Sequence, residues 1–482
     1  MIRIYLDWNV ISNFKKNDFK ELKDFITNNK NKFIFPYSPA HFRDLMKSFS
    51  PENQYFNEDL KSLEYLSENH LMEWQTDKVK PFFFTPKAYF DRVKNKENIF
   101  PLMDIENVFG TLDKGTSEFG IVSKTIETLY KSLPIGFMIN DENRDILSKM
   151  FPNLSKTSNT WDLMKSFSLF SENLLKDGKY YKDLRKSLAD KGLKLESNSG
   201  NWQEEEVIKN IDNFLKASGL NKTFLEYVNL IFEQRKEAVN RYEFFTSAYL
   251  MFDMIGYKVD KLPKPTDTMQ NIQIDAEHSF YAAHCDYFIA SDKNLLIKSK
   301  VLYNEFNIST LALTPKEFLS HINEVIHSNS SKDYFLKEVF SFIKSDYVIE
   351  SHEASSIGNE FKIFGLKLPI YYFNFFNSVI LIPNDDSDTI ILTFKKVFKH
   401  YSDFIYYSET ERVLDDICNF FGQVETKEDF EKKKKEFIYE NIGTEFMWDL
   451  GSVVIILQKD ETNQRPILTY IILPSLELSP KI

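Results

Sequence analysis

Ile2-Arg3-Ile4-Tyr5-Leu6-Asp7-Trp8-Asn9 and Tyr287-Phe288-Ile289-Ala290-Ser291-Asp292-Lys293 decide the fold. Each is a short apolar run closed by an aspartate, the pattern of a buried strand that ends in a polar turn. In a parallel α/β sheet the carboxyl ends of the strands open onto one crevice, where ligands bind. If these two strands are neighbours, Asp7 and Asp292 meet there. Carboxylates gathered at such an edge suit a hard divalent cation held by oxygen ligands.

The segments around each run support this arrangement. After Asp7 a helix is expected over Asp18–Asn28, with Phe19, Leu22, Phe25 and Ile26 on one face. Phe33-Ile34-Phe35 reads as a strand stopped by Pro36. Ser38 and Pro39 suit the cap and first turn of a helix through His41, Asp44 and Met46. This β-α-β-α order opens a doubly wound sheet. The pattern returns after Lys261-Leu262-Pro263-Lys264-Pro265, with a helix opening at Ile274-Asp275 and running to about Cys285. The strand 287–290 follows, then a helix near Asn294–Asn304, a strand at Ser309–Leu313 and a helix at Lys316–Ile326.

The fold class expected is α/β: a small parallel sheet with flanking helices, split over residues 1–56 and 262–327. Residues 57–261 read as a large helical insertion, with helices at 57–68, 117–132, 159–175, 203–217 and 222–254. Beyond Ser328-Asn329-Ser330-Ser331, residues 333–482 read as a separate C-terminal α+β module. Its expected strands are 361–367, 378–382, 389–394, 452–457 and 467–472, with helices near 411–421 and 427–440.

Composition narrows the function classes. A chain of 482 residues predicts two or three domains, and 45 Phe with 24 Tyr allow a large core. No run of 18 apolar residues is present, so no membrane span is expected, and the N-terminus reads as a strand rather than a signal peptide. Cys285 and Cys418 are expected as reduced thiols in a cytoplasmic protein, and two cysteines exclude a cysteine-built zinc site. The net charge of −11 argues against tight sequence-independent DNA binding, which needs basic residues at phosphates. Walker, G-x-S-x-G and paired G-x-G-x-x-G motifs are absent.

The acidic positions fall into four motifs. Ile4-Tyr5-Leu6-Asp7-Trp8-Asn9-Val10-Ile11 resembles the opening motif of PIN-domain nucleases: an apolar strand, Asp, any residue, Asn and two aliphatics. Ser38 through Leu45, with Asp44, resembles the second acidic motif, where Glu is more usual. Asp275-Ala276-Glu277-His278, with Tyr281-Ala282-Ala283, is similar to the third, at a helix entry. Ser291-Asp292-Lys293-Asn294-Leu295 resembles the fourth. The resemblance covers about residues 1–50 and 270–325.

It implies a PIN-like domain binding Mg2+ or Mn2+ and hydrolysing phosphodiesters, most often in RNA. Asp7, Asp275 and Asp292 would be metal ligands, and Asp44 would bind metal directly or through water. Asn9 would orient Asp7, Ser291 would meet a ligand or phosphate, and Glu277 could replace Asp275. His278, three residues after Asp275, would stand near metal or substrate in a supporting role, because His41, His278 and His284 lack a clear complete zinc set.

The function expected is therefore a metal-dependent endoribonuclease, with RNA as the first partner and DNA the second. It would be a toxin-like or defence effector, controlled by accessory regions whose C-terminal module meets a protein partner or a second copy. The alternative is a non-catalytic PIN-like scaffold that binds RNA or protein. A haloacid-dehalogenase-type phosphatase would want an acid two residues after Asp7, where Asn9 stands.

Overall fold

In the computed structural model, residues 1–94 and 151–474 are described, apart from short gaps within them. The helix expected at 117–132 lies outside the described residues, as does most of the expected boundary at 328–331.

Parallel strands β1 (Ile2–Leu6) and β2 (Phe33–Ile34) open the molecule. An antiparallel hairpin, β3 (His70–Gln75) and β4 (Lys78–Phe83), comes next. Then β5 (Tyr287–Ile289) and β6 (Leu311–Leu313) complete a four-stranded parallel sheet of order β2-β1-β5-β6. The register pairs Ile4 with Tyr287, Tyr5 with Phe288 and Leu6 with Ile289. The two strands that opened the sequence reading are thus neighbours. Chain connections leave β1 towards β2 on one side and β5 towards β6 on the other, which makes the β1/β5 crevice the switch point of the sheet.

Side chains of β1 alternate between two cores, as strand geometry requires. Ile2, Ile4 and Leu6 pack with Leu22, Ile26, Phe33 and Phe318 on one face. Tyr5 points to the other, among Ala40, Ala276, Phe280 and Phe288. The helices Lys20–Asn28 and Pro315–Val325 cover the first face. The helix Met269–Ala282 covers the second and packs against the helix Pro39–Lys47.

Three expectations change. The hairpin at 70–83 falls within the stretch read as a helical insertion, between its named helices; its Thr76-Asp77 turn, with Thr76 at φ 54°, lacks the Asn-Gly signature that announces a hairpin. The helix expected at 222–254 is two, Phe224–Leu230 and Arg241–Met254, the second capped by the Asn240 side chain on the Glu243 N–H at 2.9 Å. The helix expected to open at Ile274-Asp275 begins at Met269. Thr268 caps it, and the Asn271 side chain reaches back to the Thr268 N–H at 3.2 Å.

Residues 348–472 form a second, antiparallel sheet. Its strands are β7 (Val348–Ser356), β8 (Asn359–Tyr372), β9 (Phe376–Asn384), β10 (Thr389–Lys395), β11 (Phe446–Asp449), β12 (Val453–Lys459) and β13 (Pro466–Ile472), in the order β11-β12-β13-β10-β9-β8-β7. The helices Tyr407–Phe421 and Lys427–Tyr439 accompany it. Its core is continuous with that around Tyr5 and Phe288.

A buried charge cluster joins the two sheets. The Arg3 guanidinium donates to Glu409 at 2.6 Å, to Ser402 Oγ at 2.7 Å and to the Phe404 carbonyl at 2.8 Å. Asp286 accepts from the Arg3 backbone N–H at 2.7 Å and from Lys396 at 2.9 Å. An arginine inside a central strand is tolerated because its donors are met in this way. The cluster lies at the entry ends of β1 and β5, opposite the crevice.

Candidate metal centre

The crevice is assembled by backbone before any side chain acts. The Asp7 N–H donates to the Ile289 carbonyl at 2.8 Å, which fixes the end of β1 against the end of β5. Asp7 then begins the short helix Trp8–Ser12. Asp44 comes from the helix Pro39–Lys47 and His278 from the helix Met269–Ala282, the pair packed over the Tyr5 face of the sheet.

Asp7, Asp44 and His278 each present one ligand atom, and these atoms all lie within 4.8 Å of one another. His278 Nε2 is 3.0 Å from Asp44 Oδ2 and 3.8 Å from Asp7 Oδ1. Asp7 is only 1% exposed, and its Oδ2 has no hydrogen-bond partner among the described residues. A buried carboxylate oxygen without a donor is costly unless a cation meets it. The group could hold a metal ion.

Electrostatics separate the two carboxylates. Burial raises the Asp7 carboxyl, the Asp44 charge adds to this, and His278 with the Trp8 and Asn9 backbone N–H groups oppose it. Burial also works against ionisation of Asp44, but its hydrogen bond to His278 and the Lys47 ammonium at 2.8 Å bring it down to about 2. Asp44 therefore stays ionised and anchors the group.

A hydrogen-bonded chain behind His278 orients its ring. His278 Nδ1 lies 2.9 Å from the Tyr5 hydroxyl, which lies 2.6 Å from Ser38 Oγ. The Ser38 backbone N–H donates to His41 Nδ1 at 3.1 Å, so the His41 proton sits on Nε2 and is given to the Leu6 carbonyl at 2.9 Å. Burial pushes His41 down to about 3, with His278 adding to it, which keeps that ring neutral. His278 Nε2 donates to Asp44 Oδ2 at 3.0 Å; a cation in the group would take the place of that proton, and Nδ1–H would then be donated to the Tyr5 hydroxyl, the arrangement typical of metal-binding histidines.

The remaining expected residues stand around this trio. Asp275 lies half-buried in the middle of its helix rather than at its entry, outside the close group. Its carboxyl is raised well above the ordinary range by burial and then by the charges of Asp260, Asp7, Asp44 and Asp292. Asp292 is exposed and caps the helix Lys293–Glu305, accepting from the Asn294 and Leu295 N–H groups at 2.7 and 3.0 Å. Asn9 is exposed and meets Asp7 through its backbone. Ser291 is exposed beside Asp292. Glu277 is buried and engages Arg43, with the Tyr242 hydroxyl at 2.9 Å.

The sequence did not join Tyr5 and Ser38 to His278, and it considered His41 beside His278 only as a zinc ligand. The available signals were weak: Tyr5 alternates with Ile4 and Leu6, and His41 and Asp44 share a helix face. Further carboxylates also went unread. Asp260 bonds the buried Lys298 at 2.9 Å, and Asp253 accepts from Tyr181 at 2.7 Å and Arg185 at 2.8 Å.

No family model, curated protein or solved structure matches the chain. No helix among the described residues is long and apolar enough to cross a membrane.

Proposed function

We propose that the chain is a PIN-like, metal-dependent phosphodiesterase whose substrate is RNA. The observation that carries this reading is the convergence of Asp7, Asp44 and His278 at the β1/β5 switch point, with Asp275 and Asp292 on the same crevice. Two carboxylates with one imidazole fit Mn2+ better than Mg2+, because nitrogen ligands suit the transition metals and Mg2+ prefers oxygen alone. Bound there, such an ion supplies acidity to a nearby water and charge stabilisation to a phosphodiester.

The chain's own groups divide the work. Asp44 brings a fixed negative charge, and Asp7 brings the buried oxygen that lacks a donor. With a cation bound, His278 would present Nε2, now hydrogen-bonded to Asp44, and give its Nδ1 proton to the Tyr5 hydroxyl. Burial and neighbouring charge raise Asp275, which suits it to hold a proton beside the leaving oxygen. RNA is the substrate class that the PIN resemblance implies. The net charge of −11 means that affinity for a polyanion depends on the cation.

The test is cleavage of RNA and of single- and double-stranded DNA with Mn2+, Mg2+ or EDTA, beside Asp7→Asn. Cleavage of RNA that needs Mn2+ and disappears in the variant is expected. Equal cleavage in EDTA, or by Asp7→Asn, overturns the proposal.

A further inference from the structure

A cleft of about 410 Å3 opens between the β3–β4 hairpin and the C-terminal sheet, remote in the chain from Asp7 and Asp44. Its size falls within the range of small-ligand sites. Phe404 and Tyr406 form a buried floor. Three large aromatic rings stand at its rim and are mostly open to solvent: Phe83 at 58%, Tyr407 at 55% and Tyr439 at 61%. Single exposed aromatics are ordinary, but three converging on one cleft with a cation are not. The Tyr407 and Tyr439 rings lie 5.2 Å apart, tilted at 59°.

The cation is Lys459. Its ammonium donates to the Ile438 and Glu440 carbonyls at 3.2 and 3.0 Å and lies 5.6 Å from the centre of the Phe437 ring, and no carboxylate among the described residues pairs with it. Burial lowers its pKa, so an anion arriving beside it would be favoured. An apolar ligand or peptide side chain would make use of the rings but bring no counter-charge to an ammonium held, among the described residues, only by two carbonyls and the Phe437 ring. A flat ring carrying an anion uses both.

We propose that this cleft binds a nucleobase, stacked on one ring of the tilted Tyr407–Tyr439 pair, with its attached phosphate against Lys459. Every base offers a π-face, so stacking of this kind does not demand a sequence. The ligand is either a free nucleotide or one unpaired base of a single strand. The site does not depend on the metal centre or on its proposed chemistry.

The test is calorimetric titration of full-length Asp7→Asn protein in EDTA, which removes cleavage and metal-dependent binding. The titrants are adenosine and uridine monophosphates, adenosine, ribose 5-phosphate and a short single-stranded RNA. A nucleotide should bind, ribose 5-phosphate should not, and Tyr439→Ala should weaken binding about tenfold while Tyr439→Phe retains it. Lys459→Gln should weaken the monophosphate more than the free nucleoside. Binding of the mononucleotide points to a free ligand. Binding of the strand alone, with the same variant pattern, points to nucleic acid. Absence of binding by all titrants, or binding indifferent to Tyr439→Ala, overturns the proposal.

Discussion

Tyr5 lies on the face of β1 opposite Ile4 and Leu6, and this places its hydroxyl under His278 rather than in the core around Leu22 and Phe318. The phenol is the group through which His278 is held. Tyr5→Phe should keep the fold and weaken Mn2+ binding by about 10–100-fold, the usual effect of removing a hydrogen bond behind a metal ligand. Calorimetry reads this directly; unchanged affinity would mean that packing alone orients the ring. A second residue-scale prediction concerns Asp416, half-buried in the helix Tyr407–Phe421. Burial raises its carboxyl from 3.8 to about 6, Asp415 adds to this, and the chain amine and Arg412 oppose it. A carboxyl raised on folding favours the folded state below its unfolded pKa, and this contribution is lost as pH rises through 6. Asp416→Asn should therefore stabilise the protein at pH 8 by on the order of 1–2 kcal/mol and change little at pH 4. Urea denaturation at both pH values checks it, and an effect independent of pH would contradict the assignment.

Among the elements, the helix Met269–Ala282 carries both Asp275 and His278, and its start determines where they fall. The eye is drawn to Ile274-Asp275 because the helix is buried on several sides and shows little amphipathic contrast. Its true start is the Thr268–Asn271 capping box, which uses Asn where the usual pattern has Glu or Gln. Thr268→Ala should cost about 1 kcal/mol of stability in denaturant titration. A change near zero would show that tertiary packing alone sets the start of the helix. By contrast β1 and β5 were legible, since each is a short, mostly apolar run that is buried throughout and followed closely by Asp, Arg3 being the one charged residue. The pairing of β1 with β5 stood in the sequence only as a condition, and the register of Ile4 with Tyr287 meets it. That His278 stands closer to Asp7 and Asp44 than Asp275 does could not follow. It depends on how two helices 230 residues apart cross the sheet, and sequence spacing carries no such distance. The hairpin was lost for a local reason: His70-Leu71-Met72-Glu73-Trp74-Gln75 contains no β-branched residue.

Across the whole molecule, the C-terminal sheet is tied to the parallel sheet by groups hundreds of residues apart. Arg3 and Glu409 are both buried, and burial of Glu409 is outweighed by Arg3, the chain amine and Lys396, which hold its carboxyl well below the usual range. Glu409→Gln leaves Arg3 buried without its counter-charge and should cost about 3–5 kcal/mol. Thermal denaturation measures it; a loss below 1 kcal/mol would mean that Ser402 and the Phe404 carbonyl satisfy Arg3 alone. Because Arg3 lies in β1, the same cluster anchors the strand that ends in Asp7. The C-terminal region thereby braces, from the far end of the sheet, the strand that carries Asp7 into its group with Asp44 and His278.

The central claim is that Asp7, Asp44 and His278 form one metal centre, and titration of Mn2+ into the full-length protein tests it most directly. The account predicts saturable binding that is lost in Asp7→Asn, strongly weakened in His278→Ala, and weaker for Mg2+ than for Mn2+ in the parent. Mn2+ affinity unchanged by both substitutions, or no binding by the folded parent, would contradict it.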